Sequence, residues 1–152
     1  MKRNVRGFTL VELLATVTIM AILVGMAIPM ARNSIKRQKE NDLRDAIHEI
    51  RTALDKYKAA ADDGKIEVPT DTEGYPQTLD AMVDGVQLIG QAGKNIKFLR
   101  KIPIDPMTNS TDWGMRSYQD EPNSQSWGGQ NVFDVYTKSE GIAFDGTRYK
   151  DW

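Results

Sequence analysis

Cysteine is missing from this 152-residue chain, and histidine occurs once. Without cysteine no disulfide can brace the fold, and no thiol can serve as nucleophile or metal ligand. A single histidine, His48, excludes a histidine pair on a metal and reads as a surface or boundary residue. No glycine-rich phosphate loop occurs, and no two carboxylates are set apart by spacing as an acid–base pair. Catalysis therefore has little support. An excess of one charge is lacking too: 20 Lys plus Arg face 21 Asp plus Glu, a formal net charge of −1. Setting aside Lys2, Arg3, Arg6 and Glu12 leaves about −3 beyond Ala31, which gives no support for a nucleic-acid-binding surface.

Charge is nearly absent from one long stretch. From Phe8 to Ala31 the only ionisable side chain is Glu12. These 24 residues make enough helix to cross a hydrocarbon core of roughly 30 Å at about 1.5 Å per residue. A carboxylate there costs on the order of 2.5–3.5 kcal/mol at a helix centre, so it calls for a partner. Pro29 removes a backbone donor inside the same stretch, and a kink is expected there. Lys2, Arg3 and Arg6 precede the run and place the leader on the cytoplasmic side. Arg32, Lys36, Arg37 and Lys39 follow it and weaken that bias. Taken alone, the run allows a plain single-pass anchor, a cleaved secretory signal with its cut near Ala27 to Ala31, or a buried helix of a soluble protein. The small residue Gly7 lies before the apolar run, so a cut there would keep the hydrophobic helix on the mature chain.

The ordered string Gly7-Phe8-Thr9-Leu10-Val11-Glu12-Leu13-Leu14 resembles the class III signal of type IV pilins and pseudopilins. That resemblance implies a prepilin peptidase that cuts between Gly7 and Phe8 and methylates the new N-terminus of Phe8. Cleavage would place a cationic amine one helical turn from Glu12. An incoming subunit's amine could then approach its neighbour's Glu12 and neutralise two charges that are costly in hydrocarbon.

Beyond the run, Leu43, Ala46, Ile47, Ile50, Ala53, Leu54 and Tyr57 recur at i, i+3, i+4 and i+7, one buried face of a helix. Asp42, Arg44, Asp45, Glu49, Arg51, Asp55 and Lys56 fall opposite, with Glu40–Arg44 and Arg51–Asp55 at pairing distance. The spacing predicts one helix from about Phe8 to about Ala61, stopped by Asp62-Asp63-Gly64. Residues 68–76 read as a loop, Thr78 to Ile89 as a short second helix, and Val132 to Thr137 as a strand. Met115 to Gln119 is its expected partner, and Ile142 to Phe144 a weaker strand.

The segment Phe98-Leu99-Arg100-Lys101-Ile102-Pro103-Ile104-Asp105-Pro106 and the strand Phe133-Asp134-Val135-Tyr136 extend the resemblance to the major (G-type) pseudopilins of type II secretion systems. It implies an α+β, type IV pilin-like fold: a long N-terminal helix packed on a small domain with a short second helix and a small antiparallel sheet. The implied divisions are a leader at 1–7, a transmembrane and filament-core helix at 8–31, and a periplasmic domain at 32–152. The implied setting is a single-pass inner-membrane protein that forms a homo-oligomeric filament. Prepilin peptidase, an inner-membrane assembly platform and minor pseudopilins would be its partners. A surface type IV pilus subunit and a membrane-tethered binding module are the alternatives.

The resemblance also implies calcium in the loop after the last strand. The family's "SLGADG" string is replaced here by Thr137-Lys138-Ser139-Glu140-Gly141. Ser139, Glu140, Asp145 and Asp151 are the expected ligands, with Thr147 nearby. Two alternatives are a solvated acidic turn at Asp145-Gly146 and a tail latched by Trp152 in place of a metal.

Overall fold

The computed structural model describes residues 7–91 and 93–152, and within 26–30 the backbone alone. Most of the leader, residues 1–6, lies outside the described residues, whereas the backbone at Pro29, where a kink is expected, is helical on both sides. The chain divides into two compact units, Met1–Gln38 and Lys39–Trp152.

Helix α1 spans Leu10–Asp62, 53 residues. It ends where the sequence places the stop, and the end has a definite construction. Gly64 takes the left-handed conformation (φ 65°), its amide donates to the Ala61 carbonyl at 2.9 Å, and the Lys65 amide donates to Ala60 at 2.9 Å. These two bonds form a Schellman cap, which a residue with a Cβ would strain.

In the first unit, Phe8, Leu10, Val11, Leu13, Leu14, Val17, Ile19, Met20, Ile22, Leu23 and Val24 are all exposed. Among the described residues, no helix is long and apolar enough to cross a membrane. Part of the expected 8–31 span, the side chains of 26–30, lies outside the described residues.

In the second unit, the predicted helix face is the core. Leu43, Ala46, Ile47, Ile50, Ala53, Leu54 and Tyr57 are buried with Ile66, Leu79, Met82, Leu99, Trp113, Val132 and Val135. The second helix, α2, runs Leu79–Asp84 and is shorter than predicted. Thr78 caps it by accepting from the Ala81 amide, and Gly85 ends it at φ 95°. The residues expected to continue it instead form strand β1 (Val86–Gln87). It pairs antiparallel with β2 (Asn95–Ile96), and Leu88 bridges Ile66. Backbone pairing there replaces the helical bonds that Gly85 interrupts.

Strand β3 (Gly114–Arg116) pairs antiparallel with β4 (Asp134–Tyr136) in the register Gly114↔Tyr136, Met115↔Val135, Arg116↔Asp134. The expected α+β fold, with a small antiparallel sheet beside the long and the short helix, is present, and among the described residues the pairing is divided between two two-stranded sheets. The expected partner, Met115 to Gln119, is displaced toward Gly114 because side chains take over the ladder. The Ser117 amide donates to Asp120 at 2.7 Å, and the Tyr118 amide donates to the Asn131 side chain at 2.9 Å. Ile142 to Phe144 is no strand. Ile142 makes one isolated bridge to Arg148 across a turn at Asp145-Gly146, where Gly146 has φ 88°.

The Ile102–Pro106 loop is pinned from both sides. The Trp113 indole N–H donates to the Pro103 carbonyl at 2.9 Å. Asp105, fully buried, accepts from the Met107 amide (2.8 Å) and from the hydroxyls of Thr108 (3.0 Å) and Thr137 (2.5 Å). A buried carboxylate is tolerated only when its lone pairs are filled, and three donors do that here.

Asp134 ties helix to sheet. It receives Arg51 through Nε and Nη2 at 2.7 and 3.1 Å, and Arg116 through Nη1 at 3.4 Å.

Candidate functional site

Gly7 and Phe8 precede α1, and Phe8 is 77% exposed. The first turn carries a reciprocal cap. The Thr9 amide and hydroxyl both donate to Glu12 Oε2, at 3.0 and 2.8 Å, and the Glu12 amide donates back to Thr9 Oγ1 at 3.2 Å. Thr9-Leu10-Val11-Glu12 is thus a T-x-x-E capping box, which satisfies donors that a helix start leaves open. It also fixes where the one carboxylate of the apolar run points. A carboxylate has about four acceptor positions, so two bonds from Thr9 leave it able to take a further cation. A Cβ on Gly7 would meet nothing within 4 Å among the described residues, so their packing does not demand glycine there.

The tail after β4 contains the other expected site. The Ser139 hydroxyl accepts from the Gly141 amide at 3.3 Å. Both Glu140 oxygens accept from Lys150 Nζ, at 3.1 and 3.3 Å, and the Lys150 side chain is only 10% exposed. Asp145 Oδ1 accepts from the Thr147 hydroxyl (2.6 Å) and amide (2.9 Å), while Oδ2 faces Arg44 at 3.8 Å. Those Thr147 bonds, with Arg44 behind them, hold the Asp145 carboxyl below its ordinary value of 3.8. Asp151 is exposed at the end of a 3₁₀ turn, Tyr149–Asp151. Among the described residues no three histidine or carboxylate side chains gather as a metal site. The four expected ligands are therefore not brought together, and Ser139, Glu140 and Asp145 already accept from the chain's own donors. As arranged, they do not fit calcium.

Tyr149 is buried, and its hydroxyl donates to Glu40 at 2.9 Å. Burial, reinforced by the Glu40 hydrogen bond and charge, pushes the phenol up from 10.0 to about 12. A raised value means the folded chain holds the proton more tightly than the unfolded one. This contribution is therefore complete below pH 10 and is lost as pH rises toward about 12. The melting temperature should fall more steeply across that window for the parent than for Tyr149→Phe. Parallel curves would show that the buried phenol is not linked to folding.

A family model described as "Prokaryotic N-terminal methylation motif" matches residues 2–28. Over 113 residues the chain is 30% identical to the type II secretion system core protein G of Pseudomonas aeruginosa, covering 71% of this chain and 72% of that protein. This chain belongs to the core protein G family. It is also 28% identical over 110 residues to the type II secretion system core protein G of Escherichia coli, with 68% of each chain covered. No solved structure matches.

For this core protein G relative, several working residues escape the sequence pattern. Glu40–Arg44 and Arg51–Asp55, expected as pairs along the helix, are not formed. Glu40 accepts from Tyr149 and the Phe144 amide, Arg44 faces Asp145, and Arg51 takes Asp134. Contacts between residues 83 to 109 positions apart leave no local signal. The T-x-x-E spacing of Thr9 and Glu12 was a visible signal for the cap. His48 is exposed, as its helix position implied.

Proposed function

We propose that this chain is a structural, non-catalytic subunit of the periplasmic pseudopilus of a type II secretion system. On this reading a prepilin peptidase removes residues 1–7 and methylates Phe8. Residues 8–31 anchor the subunit in the inner membrane until an assembly platform adds it, beside minor pseudopilins, to a filament that helps export proteins. The match to core protein G over 113 residues carries the proposal, and the methylation motif at residues 2–28 supports it. The exposed apolar side chains from Phe8 to Val24 favour it as well. A continuous apolar surface of that extent calls for lipid or other subunits to cover it.

Cleavage is the direct test. Because packing in the chain leaves room at Gly7, a side chain there should be harmless to the fold and harmful only to a peptidase that approaches the backbone closely. Co-expressed with a prepilin peptidase, the parent should yield a mature chain starting at methylated Phe8 by intact-mass analysis, and Gly7→Leu should remain full length. A mature start well past Phe8, or a parent that keeps Met1, would refute the reading.

A further inference from the structure

We infer that the C-terminal segment 139–152 is fastened by the chain's own side chains, in the place where the family resemblance implies calcium. The fastening has two parts, both within the unit Lys39–Trp152. One is a stripe on α1. Glu40, Arg44 and Arg51 are spaced by four and seven residues, which puts them on one helix face.

Each member of the stripe grips a different point of the segment. Glu40 Oε1 accepts from the Phe144 amide at 3.1 Å and from the Tyr149 hydroxyl at 2.9 Å. The Arg44 guanidinium stacks over the Trp152 ring at 4.0 Å and faces Asp145 at 3.8 Å. Arg51 Nη2 donates to the Trp152 backbone oxygen at 3.0 Å while the same guanidinium holds Asp134. The stripe therefore binds the beginning, middle and end of the 144–152 stretch.

The second part lies inside the segment. Lys150, nearly buried, puts its ammonium on both oxygens of Glu140. Trp152 packs edge-on against Tyr149 at 5.2 Å, and its indole N–H donates to Thr147 Oγ1 at 2.7 Å. Thr147 in turn donates to Asp145. The two acidic groups with polar partners in the segment, Glu140 and Asp145, thus each face an organic cation from this chain.

A divalent ion has two tasks in such a loop. It neutralises repulsion among carboxylates, and it bridges chain segments. Lys150 and Arg44 perform the first, and Glu40, Arg44 and Arg51 the second. Binding calcium at Glu140 or Asp145 would require displacing Lys150 or approaching the Arg44 guanidinium, and cations repel one another. Arrangement and charge both oppose it.

Hydrogen exchange, read by mass spectrometry on the full chain in detergent micelles, tests this directly. Peptides covering residues 139–152 should exchange at the same rate in millimolar calcium and in chelator. Glu40→Ala and Arg44→Ala should each speed exchange in those peptides about tenfold, with no rescue by calcium, while peptides covering 43–57 keep their protection. The calcium arm needs no variant, so it decides even if an alanine variant fails to fold. Slower exchange of the parent's 139–152 peptides in calcium than in chelator would overturn the inference. So would parent-like exchange in both folded variants.

Discussion

A Glu12→Ala chain should be cut and inserted like the parent, yet yield few filaments. The expectation rests on the cost of charge in hydrocarbon. A carboxylate or an ammonium inside the bilayer costs on the order of 2.5–3.5 kcal/mol at mid-depth, and bringing the two together recovers part of that cost. Glu12 is held by the amide and hydroxyl of Thr9, which aim it without supplying a positive charge. On the proposed processing, the Phe8 amine of an incoming subunit supplies that charge. Losing about 2–3 kcal/mol at each subunit addition weakens each step roughly 30- to 150-fold, enough to stop a filament from growing. The same substitution removes the capping box, worth about 1 kcal/mol, but a helix of 53 residues survives that loss. Counting filaments by electron microscopy beside a membrane-fraction blot separates assembly from insertion. Parent-level filaments from Glu12→Ala would end the charge-pairing account.

The largest effect on the second unit should come from one added methyl group. A Cβ on Gly114 would lie 2.3, 2.4 and 2.7 Å from three atoms of the Tyr136 ring. That ring has little freedom to move. Arg116 stacks on it at 4.2 Å, its hydroxyl donates to the Gln125 carbonyl at 3.1 Å, and Tyr136 faces Gly114 in the β3–β4 register. Overpacking typically costs 1–3 kcal/mol, and a clash against a clamped ring belongs at or above the top of that range. Gly114→Ala should therefore lower the melting temperature by about 10 °C or more. Combining it with Tyr136→Leu, which takes away the obstructing ring, should cost less than the sum of the two changes. A shift below about 3 °C for the single variant would mean that the strand gives way easily.

The helix face from Leu43 to Tyr57 could be read from the sequence because a helix repeats its burial every 3.6 residues, and seven residues obeyed that rule. The stop at Asp62-Asp63-Gly64 was legible for a similar reason, since glycine permits the left-handed cap. The second helix was overextended because Val86 and Leu88 fit a helical spacing as well as an alternating one. Gly85 was the signal that decides between them. The β4 strand was legible from its branched and aromatic residues, but its register was not, because Asp120 and Asn131 end the pairing through side-chain bonds. Gly7 and Phe8, proposed for processing, and Glu12, proposed for assembly, belong to a contiguous string, so they could be proposed without a structure. The fastening of the tail could not. It joins Glu40 to Tyr149, Arg44 to Asp145 and Arg51 to Trp152, contacts between positions about a hundred residues apart that leave no local pattern.

Asp134 serves two guanidiniums, one from the long helix and one from the neighbouring strand. This makes it a three-way dependency rather than a pair. A change at Asp134 strands two positive charges at once, one of them on the nearly buried Arg116, so no single second change can compensate. Relatives without this carboxylate should have altered positions 51 and 116 together, and the three positions should vary as a block.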